Sequence, residues 1–313
     1  MRYNYSLNCT NFYNNGNRKF IKRAISVEIN ELAINREVDK IIIESNAVNE
    51  EDKILLLLSA ITHIDLTSLK GDETFADIKN LCAKAAKATD INFGWHKPIR
   101  TAAVCIFPAS ACDAIQSLKE LNVRDQVKVV SVAGDFPDAK LDLQTRIKEI
   151  KQVVNYGVDE VDIVINRKLA IDGQWHELYN ELKLMREACG KIKMKTILAT
   201  GDLPCLKTVY IASIVAMLAG SDFIKTSTGK EIINATLPVG IVMSKAIKDY
   251  HTSTGLKIGF KPAGGIKTVD DTIQWIVLVK EELGSSWLTK DLFRIGASSV
   301  LDNINKCVEI LKF

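Results

Sequence analysis

The sequence lacks several features, and each absence excludes a class of protein. Its longest apolar runs, such as Ile54 to Leu58, fall far short of the roughly 20 residues a bilayer span needs, so no membrane partner is expected. Neither sign of charge is in excess: 41 basic against 38 acidic side chains leave +3 over 313 residues, which announces no nucleic-acid partner. The seven cysteines (Cys9, Cys82, Cys105, Cys112, Cys189, Cys205 and Cys307) are odd in number, and none forms a Cys-x-x-Cys pair. This excludes the usual zinc spacings and argues against a disulfide scaffold, and reduced thiols in a cytoplasm are expected. The four histidines, His63, His96, His176 and His251, are dispersed, so no metal site is expected. A lone histidine ahead of a strand, as His63 is, reads as a packed or solvated side chain.

No Gly-x-Gly-x-x-Gly is present to mark a dinucleotide site in an open doubly wound sheet. Ser227-Thr228-Gly229-Lys230 resembles the end of a P-loop, but Ile224 stands where the first glycine belongs and Glu231 where a Ser or Thr belongs. What is present, 47% hydrophobic and 25% charged residues, is the composition of a folded globular chain. Length alone leaves one domain or two open, because single α/β barrels reach this size.

The first 27 residues carry no acid and hold Arg2, Arg18, Lys19, Lys22 and Arg23. They lack a secretory core, so the Asn8-Cys9-Thr10 sequon carries little meaning, and an organellar presequence or a frayed terminus remains; the frayed terminus is the expectation. From Glu28 to Ala60 two helical patterns follow, the second opening at Asn49 with Asp52 three residues on, a variant of the capping box. Thereafter short β-branched or apolar runs alternate with longer amphipathic stretches. Strands are expected at about Thr62–Leu66, Ala103–Phe107, Val127–Ala133, Glu160–Ile165, Met194–Ala199, Phe223–Thr226, Ile258–Lys261 and Phe293–Gly296. Helices are expected at Phe75–Lys87, Ala139–Val154, Trp175–Cys189, Val269–Leu283 and Val300–Leu311, among others. Eight strand-then-helix units with long crossovers imply parallel strands closing a (β/α)8 TIM barrel. The expected division is an N-terminal extension over residues 1–60 and a single barrel over 61–313.

Chemistry in such a barrel gathers at the C-terminal ends of the strands. Five charges sit among apolar strand residues: Asp65, Asp162, Lys195, Lys225 and Lys261. Burying unpaired charges costs several kcal/mol. Snorkelling lysines on outer faces would explain one of them, but three on the fifth, sixth and seventh strands suggest convergence on a cavity. Gly259 and Ala199, on the same faces, are expected to leave room for a ligand. An ammonium crowded by other cations has a lowered pKa, and a neutral lysine attacks carbonyls to form an electron-withdrawing iminium. Glycines and serines at Gly229, Gly264, Gly265, Gly296, Ser298 and Ser299, with Lys230, cluster after the sixth, seventh and eighth strands. Alone each is a turn or a cap; together they suit a phosphate. The substrate therefore looks like a small phosphorylated aldehyde, although the residues by themselves do not say which lysine attacks.

Two phrases, Phe223-Ile224-Lys225-Thr226-Ser227-Thr228-Gly229-Lys230 and Gly259-Phe260-Lys261-Pro262-Ala263-Gly264-Gly265, carry a family resemblance. With Asp65-Leu66-Thr67, Cys105-Ile106-Phe107-Pro108, Asp159-Glu160-Val161-Asp162 and Phe293 to Ser299 in the same order, the sequence resembles the deoxyribose-phosphate aldolases from about Ile54 to its end, in their longer, eukaryotic-type form. The resemblance implies cleavage of 2-deoxy-D-ribose 5-phosphate to glyceraldehyde 3-phosphate and acetaldehyde, with no cofactor. It implies Lys225 as the Schiff-base lysine, Lys261 as the lysine that lowers its pKa and joins the proton relay, and Asp162 as the proton donor and acceptor. Substrate contacts are expected from Asp65, Cys105, Lys195, Thr228, Gly229, Lys230, Gly264, Gly265, Lys267, Gly296, Ser298 and Ser299.

The departures are a C-terminus of Leu311-Lys312-Phe313 without a nearby Tyr, Ala199 where bacterial relatives often carry an acid, and Lys267 where they often carry Arg. Cys105 either faces the site, sensitising it to electrophiles, or packs as an apolar thiol. Two other readings are weighed: a non-catalytic phosphosugar-binding protein, and RNA binding through the basic N-terminus. The expected partner is a small phosphorylated sugar, and a homodimer is the assembly to test.

Overall fold

A computed structural model describes residues 15–91 and 98–311. Cys9, its sequon, His96 and the terminal Lys312-Phe313 lie outside the described residues. Three helices come first: α1 (Asn15–Ser26), α2 (Glu31–Asn46) and α3 (Glu50–Ile61). Eight strands follow: β1 (Ile64–Thr67), β2 (Ala103–Ile106), β3 (Lys128–Ala133), β4 (Glu160–Val164), β5 (Lys193–Ile197), β6 (Phe223–Lys225), β7 (Gly259–Lys261) and β8 (Ile295–Ala297). Between and after them run α4 (Phe75–Ala86), α5 (Ala111–Glu120), α6 (Leu143–Tyr156), α7 (Arg167–Ile171), α8 (Trp175–Cys189), α9 (Leu206–Leu218), α10 (Leu237–Thr254), α11 (Val269–Leu283) and α12 (Val300–Leu311).

Strands β1 to β7 pair in parallel in chain order, β1 also pairs with β8, and β7 meets β8 through isolated parallel bridges. The seam between β7 and β8 is held by hydrogen bonds from Phe260 N–H to Leu292 O (2.8 Å), Arg294 N–H to Phe260 O (3.1 Å) and Gly296 N–H to Pro262 O (2.9 Å). This is the TIM barrel expected from the alternation of strand and helix.

Helix starts follow local chemistry. Thr74 and Thr268 each form a capping box with the aspartate three residues on, and Asn49 accepts from the Asp52 N–H at 2.8 Å; each such cap satisfies an N–H group left free at a helix start. The N-terminus differs from expectation. Asn15–Ser26, read above as part of a frayed start, is helical and buries Ile21 and Ala24. The cause lies far along the chain: α9 is apolar all round, with nine of its thirteen residues buried, and α1 packs on it. Arg18, Lys19, Lys22 and Arg23 are exposed on α1.

The barrel interior has two halves. Ala103, Cys105, Val130 and Val132 form an apolar cluster on β2 and β3. The inward residues of β1 and of β4 to β8 are mostly charged.

Candidate active site

Alternation along the strands puts residues i and i+2 on one face. In register, Asp162 stands beside Lys195 and Lys225 beside Lys261. Asp162 is fully buried. Its Oδ2 accepts from Lys225 Nζ at 2.9 Å and Lys261 Nζ at 2.8 Å, and its Oδ1 from Lys195 Nζ at 3.1 Å. Lys261 also meets Asp65 at 2.5 Å, and Lys195 meets Glu160 at 2.5 Å. Arg294, 1% exposed, completes the cluster by donating to Asp65 at 2.6 Å and Glu160 at 2.8 Å.

Four cations thus share three carboxylates. The expectation of lysines surrounded chiefly by other cations needs correction, because acids interleave with them. Burial alone would lower the Lys261 ammonium, but Asp162 and Asp65 outweigh burial and hold it above its ordinary value. Lys195 is raised in the same way by Asp162 and Glu160. Burial would favour a neutral Asp162, yet Lys195, Lys225 and Lys261 keep it well below the usual carboxylate range. These groups rest in their charged forms, and breaking any one pair would strand its partner in the core.

Lys225 stands apart within this set. It contacts one carboxylate, whereas the other three cations contact two or more, and it alone of the four lines a cavity of ≈ 350 Å³ at the C-terminal ends of the strands. The rest of the lining comes from Thr67–Lys70 after β1, Thr228–Lys230 after β6, Ala263–Lys267 after β7 and Gly296–Ser299 at the end of β8. Gly264 and Gly265 are both left-handed, at φ +80° and +81°, a conformation that glycine adopts without strain. Lys230 crosses the opening to donate to Leu69 O at 2.9 Å. A larger cleft of ≈ 700 Å³ lies behind Lys230 and Glu231, but no lysine of the buried cluster lines it.

Of the expected site residues, Lys225, Thr228, Gly229, Lys230, Gly264, Gly265, Lys267, Gly296, Ser298 and Ser299 are brought together around this cavity. Asp65, Asp162, Lys195 and Lys261 are not on its wall; all four are fully buried, a charge network beneath Lys225. Cys105 packs with Val130 and Val132, and burial pushes its thiol up, so the packed alternative holds. Gly259 leaves no room for a ligand, because the Phe223 ring occupies its open face and would lie 2.3 Å from a Cβ there. Gly296 instead makes room for Ala263 and Lys261, whose Cβ and Cε would lie 2.8 Å and 3.3 Å from a Cβ at that position. His63 is packed, its Nδ1 within 2.8 Å of Ser59 O.

Sequence reasoning passed over Glu160 and Arg294. Period two was the available signal, since each lies two residues before a named site residue, Asp162 and Gly296, on the same strand face.

Residues 59–300 match the DeoC/LacD family aldolase model. The chain belongs to that family. Among curated relatives, it is 50% identical over 288 residues to the deoxyribose-phosphate aldolase of Mus musculus, covering 90% of this chain and 89% of that one. It is 47% identical over 302 residues to the deoxyribose-phosphate aldolase of Homo sapiens, covering 94% and 93%. A solved structure from Toxoplasma gondii has a TM-score of 0.74 at 20% identity, covering 84% of this chain and 97% of that one. The deoxyribose phosphate aldolase of Aeropyrum pernix, described as tetrameric, has a TM-score of 0.58 at 22% identity, covering 85% and 99%. These two structures establish the barrel for this aldolase; the sequence relatives establish its family.

Proposed function

We propose that this aldolase cleaves 2-deoxy-D-ribose 5-phosphate to glyceraldehyde 3-phosphate and acetaldehyde through a Schiff base on Lys225. The observation that carries this reading is the single cavity-facing ammonium of a buried ion cluster, set beside loops rich in glycine, serine and lysine. Lys225 attacks C1 of the open-chain aldehyde as a neutral amine, a state in which the remaining cluster is balanced, with three cations and three carboxylates. Loss of water gives the iminium, which restores a positive charge next to Asp162. Asp162, through water, takes the proton of the C3 hydroxyl. The C2–C3 bond then breaks, its electron pair flows into the iminium, and glyceraldehyde 3-phosphate departs. The proton taken from the C3 hydroxyl returns through water to C2 of the enamine, and hydrolysis of the resulting iminium releases acetaldehyde and frees Lys225.

Lys261 takes part as a neighbouring positive charge that pins Asp162 and passes protons along the relay. Gly264, Gly265, Gly296, Ser298, Ser299, Lys230 and Lys267 hold the 5-phosphate; exposed N–H groups and the start of α12 favour an anion there. Asp65, Cys105 and Lys195 support this site from below or beside it instead of touching substrate.

The family match, beginning at residue 59, supports dividing the chain into an extension over 1–60 and a barrel over 61–313. We assign the protein to the cytoplasm on its thiol pattern, with a homodimer as its simplest assembly. No helix among the described residues is long and apolar enough to cross a membrane. A direct assay tests the function: equimolar acetaldehyde and glyceraldehyde 3-phosphate are expected from the wild type, and none from Lys225→Ala with an unchanged far-ultraviolet spectrum. Absence of products, or their persistence in that variant, would overturn the reading.

A further inference from the structure

One buried carboxylate at the mouth of the barrel takes no part in the chemistry derived above. Glu231 lies on the surface loop between β6 and α10, yet its side chain is only 2% exposed. Its Oε2 accepts from the Thr228 hydroxyl at 2.7 Å, the Thr228 N–H at 3.0 Å and the Gly229 N–H at 3.1 Å; its Oε1 also lies 3.0 Å from the Thr228 N–H. Successive N–H groups that converge in a turn form a concavity suited to an anion. Here an internal anion fills it.

The same residue joins the phosphate-facing loops to the rest of the rim. Arg167, 3.9 Å away, donates to Pro137 O at 2.8 Å and Asp138 O at 2.9 Å and pairs with Asp202 at 2.8 Å. On the other side, the Glu231 carbonyl accepts from Asn234 Nδ2 at 2.9 Å. Asn234 covers Gly264 so closely that a Cβ there would come within 2.5 Å of its Oδ1. A continuous chain of contacts therefore runs from the loop after β3, through Arg167 and Glu231, to Thr228–Lys230 after β6 and Gly264 after β7.

Two consequences follow. The N–H groups of Thr228 and Gly229 are already taken, so this loop offers the phosphate the Lys230 ammonium and not its backbone. The loop also has its shape before any ligand arrives, which removes an ordering cost from binding.

We propose that Glu231 is a positioning residue for phosphate recognition: an internal carboxylate that stands in the anion-binding turn after β6 and holds Lys230 and Gly264 at the cavity. This rests on the reading of a phosphorylated substrate. The test compares Glu231→Ala and Glu231→Gln with the wild type on 2-deoxy-D-ribose 5-phosphate and on unphosphorylated 2-deoxy-D-ribose. Glu231→Ala should raise KM for the phosphorylated sugar by about tenfold or more, with kcat within about threefold and kcat/KM for the unphosphorylated sugar within about twofold. Glu231→Gln, which keeps the shape and one acceptor, should fall between.

An unchanged KM would overturn the proposal. So would a lowered KM, which would make the carboxylate a competitor of the phosphate, or an equal loss on both sugars, which would make it a general support of the fold. Wild type inactive on the phosphorylated sugar would defeat the functional reading alone. Thermal stabilisation by inorganic phosphate would then decide this one, which expects less stabilisation of Glu231→Ala than of wild type and is overturned by equal stabilisation.

Discussion

Asp162 shows how much a single side chain holds together at the bottom of this site. Three ammonium groups converge on its two oxygens, so Asp162→Asn removes the charge that each of them faces while preserving shape. Turnover should drop roughly 10²–10⁴-fold, the range of a lost acid–base group, and the melting temperature should fall as well; unchanged steady-state kinetics would contradict the assignment. The cysteines provide a second residue-scale check. Burial pushes the thiols of Cys82 and Cys189 up to about 12 and raises Cys105, whereas Cys112 and Cys205 are exposed. Thiolate is the reactive form, so brief alkylation at neutral pH followed by peptide mapping should mark Cys112 and Cys205 and spare the other three. Labelling of Cys105 in the native protein would reopen the possibility that it faces the cavity. Lys225, Lys261 and Asp162 were legible as charges out of place in apolar strands. That the acids alternate with the lysines was not, because ion pairing across five strands depends on barrel closure and not on local pattern.

Among the elements, strands and helices with strong periodicity appear close to where the sequence places them. Trp175–Cys189, Val269–Leu283 and Val300–Leu311 begin and end as expected. The helix α6 begins at Leu143, four residues later than expected, because Asp142 caps it by accepting from the N–H groups of Gln144 and Thr145. The N-terminal helix α1 was missed for a different reason: its mean composition is polar, and its stability comes from tertiary packing. The signal for it lay in α9, whose apolar residues on every face require a cover. Ile21→Ala should therefore cost about 2–4 kcal/mol in denaturant unfolding, the range for emptying a buried aliphatic site, without altering KM, because α1 packs on the outer helices. A cost below about 0.5 kcal/mol, the range of a surface substitution, would show that α1 does not stabilise the barrel.

For the molecule as a whole, the ion cluster makes stability depend on pH at both extremes. Asp65, Glu160 and Asp162 are held below their ordinary values, so the stability they contribute is complete above the unfolded carboxylate range near pH 4 and is lost as pH falls further. Lys195 and Lys261 are held above theirs, so their contribution is complete below about pH 10 and is lost at higher pH. Unfolding free energy should form a plateau between about pH 5 and 10 and fall on either side. A maximum confined to one narrow pH, or stability that rises into acid, would contradict a core built on paired charges. The interior of this barrel thus departs from a packing of branched apolar side chains on the side where the ion cluster lies.

In the proposed mechanism Lys225 is the reactive member of the cluster because, of its four cations, it alone lines the cavity. Borohydride reduction in the presence of 2-deoxy-D-ribose 5-phosphate, followed by peptide mapping, measures this directly. A single adduct on Lys225, absent without substrate, is the predicted result. An adduct on Lys195 or Lys261, or turnover without any trapped adduct, would contradict it.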